Sequence, residues 1–260
     1  MQRHPVFIAP FQFDEKVKHL ISTRTGGYSL PPYASLNLGM HVGDRAEHVQ
    51  KNRQIVAQHL DIPPAHLCFM QQVHGHTVAV IDKAGAPPPI ADAMITNRQG
   101  IALCVLTADC VPLLLYAPQA AAIGVVHAGW RGLAAGIIPE SIRQMKKSYG
   151  VLPKQLVVGI GPHISVQYYE VGEEVATALQ DAVPVAFRSQ VCIRKKESGR
   201  YHADLLAVAK AQLMAEGIPP ENIQSYAVCT YEAKEQFYSA RREGTKSGRF
   251  ASVIMLEPHR

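Results

Sequence analysis

Residues 101–130, IALCVLTADCVPLLLYAPQAAAIGVVHAGW, decide the fold class. They hold three apolar, β-rich runs in succession, 101–106, 111–116 and 121–126, each bounded by small or polar residues. No helical segment separates the runs, so the strict strand–helix–strand beat of a doubly wound sheet is missing.

Working outward, further strand-like runs occupy 17–23, 67–73, 77–81, 156–160, 225–230 and 251–256. Helical signals fall between them. Asp44 can cap a helix, with Glu47 as the third-residue carboxylate, that runs to Leu60 ahead of Pro63. A second covers 139–149 and stops at Gly150, and a third covers 171–179. The strongest opens at Asp204 and ends before Gly217, with Leu205, Val208, Ala209 and Leu213 on one face. The expected class is α+β, with mixed β-sheets under outer helices.

At about 150 residues per domain, 260 residues make one large domain or two small ones. The stiff connector AGAPPP at 84–89 is too short to divide the chain, so residues 1–260 are expected to form a single domain. With 47% hydrophobic and 18% charged residues, the composition is that of a globular protein rather than a disordered one. No run approaches the ~20 apolar residues of a membrane helix, and MQRHPVFIAPFQFDEK lacks the apolar stretch of a signal peptide. A cytoplasmic protein without membrane contact is expected. Cys68, Cys104, Cys110, Cys192 and Cys229 are odd in number and widely spaced, which argues against a disulfide framework. The net charge of +5 is mostly dispersed, apart from short runs such as 194–196 and 241–242, so nucleic acid is not the expected partner.

Three segments place chemically capable side chains at or just past strand ends: QQVHG at 71–75, TADC at 107–110 and VVHAGWRG at 125–132. Their candidates His74, Cys110 and His127 lie 36 and 17 residues apart, a spacing that by itself carries little weight. Should they converge, two imidazoles and one thiolate match a zinc site with an open fourth position, the pattern of a catalytic centre. The plainer alternative makes each histidine a hydrogen-bonded strand cap and Cys110 a small core residue.

HGH at 74–76, TADC at 107–110, HAGWRG at 127–132, GIGPHI at 159–164, YEVGEEV at 169–175 and FYSARREG at 237–244 together resemble the multifunctional purine nucleoside phosphorylase family. Its members also carry the names laccase-domain and polyphenol oxidase proteins. STRTGGYSLPPYASLNLGMHVGD at 22–44 resembles the family's opening segment, so the likeness covers nearly the whole chain. The resemblance implies a four-layer α/β/β/α fold and zinc held by His74, Cys110 and His127. It also implies phosphorolysis of adenosine, inosine and S-methyl-5′-thioadenosine, with adenosine deamination at the same site. The chain departs from the pattern at Gln167 and Tyr168, where relatives often carry a cysteine, and at Ala240, where a larger residue is expected.

Phosphorolysis needs donors for a phosphate, and Arg24 and Arg131 are the candidates for phosphate or substrate contact. Asn37 is a candidate for a ribose or base edge, though asparagine is also an ordinary turn former. Asp92 and Asp109 are candidate general bases or partners that fix a histidine tautomer. His76 would point away from His74 if the strand continued, and is left outside the site.

The chain has one HxH unit, which does not suit a multicopper oxidase. It lacks the H-x-E and P-C-x-x-C pair of cytidine-type deaminases, and GIGPHI lacks the third glycine of a dinucleotide turn. Two rivals remain: a metal-free amide hydrolase with Cys110 as nucleophile activated by His127 or His74, and a basic nucleic-acid-binding module. Purine nucleosides and phosphate are the expected partners, and a monomer the expected assembly.

Overall fold

The computed structural model describes residues 4–194 and 199–258. Lys195 and Lys196 of the basic run lie outside the described residues.

Two mixed sheets pack face to face. One has five strands in the order Phe7–Ile8, Val17–Ser22, Phe250–Leu256, Ala102–Thr107 and Leu67–Cys68, antiparallel except for the last pair. The other has six, in the order Ile223–Ser225, Val157–Ile160, Val111–Ala117, Ala122–Ala128, Ala93–Thr96 and Val78–Val80. Its centre is antiparallel and both edge pairs are parallel.

Strand pleating sorts successive residues into different layers. Leu103 and Val105 face the inter-sheet core with Leu114, Tyr116, Ile123 and Val125. Their neighbours Ala102, Cys104 and Leu106 pack on Val56, Ala57 and Leu60 of helix Ala46–Leu60. On the far side, Leu113, Leu115 and Val126 meet Ile138, Ile142 and Met145 of helix Ile137–Tyr149 and Val208 and Ala209 of helix Leu205–Ala215. Because both faces of each central strand are covered, the runs read as continuously apolar rather than alternating. The layers are therefore α/β/β/α, as the resemblance implied.

Gly150 ends helix Ile137–Tyr149 in the left-handed conformation, and the Asp204 side chain accepts from Ala207 N at 2.9 Å, both as expected. The Asp44 cap is a correction. Asp44 Oδ2 accepts instead from Ser29 Oγ at 2.5 Å and Asn37 Nδ2 at 2.9 Å, and helix Ala46–Leu60 starts without a side-chain cap. The third helix is shifted to Glu173–Asp181, because Glu170–Val171 pairs with Tyr201–Ala203 in a small three-stranded sheet completed by Cys192–Arg194.

The run 67–73 yields only the strand Leu67–Cys68. Further on, the Gln72 side-chain amide takes the place of a strand partner, donating to Leu106 O at 2.7 Å and accepting from Leu106 N at 2.9 Å. The run 225–230 is displaced to Ile223–Ser225. After one further bond, Tyr226 N to Ile160 O at 2.8 Å, the chain leaves the ladder, and Cys229 forms an isolated bridge with His163. The strand Ala93–Thr96 escaped the sequence reading, yet it lies inside the six-stranded sheet.

Candidate metal centre

Cys110 immediately precedes strand Val111–Ala117, and His127 lies inside strand Ala122–Ala128. The register Val111 to Ala128 brings the two to the same end of adjacent strands. His74 arrives from a loop, with a positive φ of 60° that only a turn firmly held from outside maintains in a non-glycine residue. The metal-binding atoms of the three all lie within 4.8 Å of one another. Cys110 Sγ is 4.0 Å from His74 Nε2, and the His74 and His127 rings meet edge to face with centroids 4.7 Å apart. Among the described residues this is the group of His, Cys and acidic side chains placed to hold a metal ion. Gly129 makes the approach possible: a Cβ there would sit 3.0 Å from Cys110 Sγ and 3.1 Å from His74 Cδ2.

Asp92 holds the cluster together. Its carboxylate, fully buried, accepts from His74 N at 2.9 Å, Gly75 N at 2.7 Å and His127 Nδ1 at 2.8 Å. It thus fixes the His74 turn and fixes the His127 proton on Nδ1, leaving Nε2 as the ligand atom, the carboxylate–histidine arrangement common behind metal sites. Burial alone would raise the Asp92 carboxyl; the hydrogen bonds from His127, Gly75 and His74 outweigh it and hold the group below its ordinary value. Of the two roles offered for Asp92, the geometry matches the tautomer-fixing one, since its oxygens are occupied by these donors.

Burial would likewise raise the Cys110 thiol, but the imidazoles of His127 and His74 bring it down to about 6. His127 rises to about 9, because the Cys110 thiolate and the Asp92 bond overcome the effect of burial. Without a metal the pair is therefore a thiolate beside an imidazolium, with the sulfur already in its ligating form.

Asp109, the second candidate base, has φ 100° and is buried, and both of its oxygens are engaged. Oδ1 accepts from Thr230 Oγ1 and Oδ2 from Arg241 N, each at 2.6 Å. That arrangement anchors the 239–243 segment behind Cys110 rather than presenting a base.

The proposed substrate contacts divide. Arg131 is exposed, its guanidinium 4.4 Å from the Trp130 ring centroid in the short helix after His127. Arg24 is committed elsewhere. It donates to Glu243 Oε1 at 2.6 Å, Lys234 O at 3.0 Å and Ala34 O at 3.2 Å, on the wall of a cavity of about 660 Å³. Asn37 is fully buried and saturated: Nδ2 donates to Asp44 and Gly39 O, and Oδ1 accepts from Gly39 N and Arg249 N. In this arrangement the Asn37 amide serves to fix the loop.

Sequence reasoning passed over His41, Arg53 and Arg249. His41 and Arg53 line a cavity of about 470 Å³ that also includes Val73, next to His74. His41 lies in the GMHVGD stretch of the opening segment; Arg53 and Arg249 belong to no local motif, and only the tertiary fold brings Arg53 to this cavity and Arg249 to the neighbourhood of Cys110.

The donor set fits a metal on the chemistry of its atoms: two imidazole nitrogens and a thiolate converge, with three protein ligands leaving room for a further one.

The family model described as "Multi-copper polyphenol oxidoreductase laccase" matches residues 18–257. A purine nucleoside phosphorylase of Bacteroides thetaiotaomicron is 37% identical over 252 residues, covering 92% of each chain. Purine nucleoside phosphorylase ORF3 of Streptomyces griseus is 39% identical over 237 residues, covering 90% of this chain and 92% of its own. Among solved structures, the hypothetical protein YfiH of Bacillus licheniformis superimposes with a TM-score of 0.89 at 31% identity, covering 93% of both chains. A Neisseria meningitidis protein gives 0.87 at 36% identity, covering 98% of this chain and all of its own.

Proposed function

The chain belongs to the family described as multi-copper polyphenol oxidoreductase laccase, several of whose members are named purine nucleoside phosphorylases, and on that premise we propose that it is a zinc-dependent purine nucleoside phosphorylase. In this reading it acts on adenosine, inosine and S-methyl-5′-thioadenosine with phosphate, and also deaminates adenosine at the same site. The observation that carries the reading is the convergence of His74, Cys110 and His127 at one point, with Asp92 fixing two of the three.

Zinc is favoured over copper because multicopper oxidation needs several copper centres, whereas the described residues supply one cluster. Bound there, zinc would supply a Lewis acid and a water of lowered pKa. The chain's own part is to keep Nε2 of His127 aimed inward through Asp92 and to hold His74 in its strained turn. In phosphorolysis a phosphate oxygen forms a bond to the ribose anomeric carbon as the glycosidic bond breaks. The electron pair of that bond leaves on the purine ring nitrogen, which takes up a proton, giving the free base and ribose 1-phosphate. Deamination exchanges the exocyclic amine of adenosine for a water oxygen, and ammonia leaves. Arg131 remains a proposed contact on the strength of its place beside His127.

A second reading has one observation in its favour. Cys110, His127 and Asp92 are connected in the order of a cysteine–histidine–aspartate relay, with a lowered thiol. A nucleophile needs one base, however, and here a second imidazole, His74, closes on the same sulfur, which suits a ligand set better.

All five cysteines are free thiols, consistent with a reducing, cytoplasmic setting, and no described helix is long and apolar enough to cross a membrane. The test is to incubate zinc-loaded protein with adenosine, with and without phosphate, and to separate adenine plus ribose 1-phosphate from inosine. Adenine that forms only with phosphate supports the reading. Full activity in metal-free protein would remove zinc from the reading, and absence of every product would turn it to the cysteine hydrolase.

A further inference from the structure

Two arginines near the metal centre are engaged in no direct salt bridge among the described residues. Among the described residues, neither Arg53 nor Arg249 forms an ion pair with a carboxylate, whereas Arg24 and Arg242 share Glu243. Both are half-buried, and burial is the largest influence lowering each guanidinium, Arg53 to about 10. Arg249 has Cys110, Asp109 and Glu243 among its charged neighbours, but neither guanidinium is directly paired with a carboxylate, so each keeps capacity for an anion brought from outside.

The two side chains are held by backbone oxygens that leave part of each fork open. Arg53 Nε and Nη2 both donate to Leu38 O, at 3.1 and 2.9 Å, while its guanidinium carbon lies 3.7 Å from the Phe69 ring centroid. Arg249 Nη1 donates to Ser247 O at 2.7 Å and Gly248 O at 2.9 Å. Arg53 Nη1 and Arg249 Nε and Nη2 donate to no acceptor among the described residues. The strip Leu38–Gly39 runs between the two: Arg249 Cγ is 2.9 Å from where a Gly39 Cβ would stand, so only glycine admits this approach. His41, two residues on, feels the positive charges of both arginines and of His127 and His74. Arg249 in turn feels Cys110 most strongly among its charged neighbours. Arg53 and His41 thus line the cavity of about 470 Å³, while Arg249 lies on the side of Cys110.

We infer that Arg53, Arg249 and His41 form the oxyanion subsite that takes inorganic phosphate beside the metal centre. The assignment rests on the phosphorylase reading for its reaction, but not for the anion site itself. It moves the phosphate away from Arg24, which is already paired with the Glu243 carboxylate, and from Arg131, which is exposed and stacked on Trp130. Open donors from two planar forks match the geometry of a tetrahedral oxyanion.

The test is calorimetric titration of inorganic phosphate into the metal-loaded protein, compared with Arg53→Met, Arg249→Gln and the surface control Arg143→Gln. Each subsite substitution is expected to weaken phosphate binding about tenfold or more, the loss of a charge-assisted contact, and the control to change nothing. Should Met or Gln fail to fold, Arg53→Lys and Arg249→Lys keep the charge and remove the fork, and are expected to weaken phosphate by a smaller factor. Unchanged phosphate affinity in the folded variants overturns the inference. Nucleoside phosphorolysis is measured in parallel to separate the two claims. Phosphorolysis with an unaltered phosphate KM in the variants leaves the function standing and removes the subsite. Phosphate binding lost in the variants, with no phosphorolysis by the native chain, keeps the subsite and removes the function.

Discussion

His127 Nδ1 donates to Asp92 Oδ1 at 2.8 Å, and the other oxygen of that carboxylate accepts from Gly75 N at 2.7 Å, so one buried anion orients two of the three candidate ligands. Asp92→Asn puts an NH₂ among N–H donors and frees His127 to change tautomer. Metal affinity is expected to fall about 10- to 100-fold, measured by competition with a chelator. An unchanged affinity would remove Asp92 from the site's construction.

Gly129→Ala tests the crowding around the sulfur. The residue has φ −76°, which alanine adopts freely, so the fold is expected to survive. The new methyl meets Cys110 Sγ and His74 Cδ2 at 3.0 and 3.1 Å and must push at least one aside. Weakened metal binding with a near-native melting temperature is the expected pair of results.

In metal-free protein, Cys110 and His127 give stability opposite pH dependences. The Cys110 value is depressed from 9.0 to about 6, so its contribution is full above 9.0 and is lost as pH falls through about 6. The His127 value is raised from 6.5 to about 9, so its contribution is full below 6.5 and is lost as pH rises through about 9. Between about 6.5 and 9 the rise of the first offsets the fall of the second, so denaturant titrations should show a nearly level stability across that range. Thiolate ultraviolet absorbance should appear near pH 6 in the native chain.

Arg24→Gln is expected to behave as a stability variant. The side chain ties the opening segment to Glu243, and its removal leaves a mostly buried carboxylate short of one partner. A loss of about 2 kcal/mol corresponds to a drop of roughly 4–8 °C in melting temperature. A large rise in substrate KM with an unchanged melting temperature would return Arg24 to the binding machinery.

Asn52, buried in helix Ala46–Leu60, accepts from Tyr28 N and donates to Ser29 Oγ, Ser35 O and Asn37 O. Asn52→Ala removes all four bonds at once, and a loss of about 3 kcal/mol by denaturant unfolding is expected, beyond the usual range for one neutral hydrogen bond.

The central sheets were legible because each strand is covered on both sides, which makes 102–107 and 111–117 unbroken apolar runs. Ala93–Thr96 is four residues long and flanked by polar ones, so nothing local marked it as lying within the six-stranded sheet. The Asp44 cap failed for a different reason: its oxygen found Ser29 and Asn37, partners that exist only after the opening segment has folded back on the helix. Within the site, His74, Cys110 and His127 stood out by residue type and by their place near strand ends. Arg53 and Arg249 did not, since what distinguishes them is that neither forms a direct ion pair with a carboxylate among the described residues, which only the fold reveals.

The seven-residue strand Val111–Ala117 carries the chain from Cys110 to the turn at Pro118–Ala120, about 20 Å away at strand rise. Tyr116, bonded to Asp14, and the rim around Glu257 therefore lie at the end of the sandwich remote from the reactive sulfur. A dye or a surface tether fixed at that rim would report on or immobilise the protein while the opposite mouth stays free to exchange small solutes.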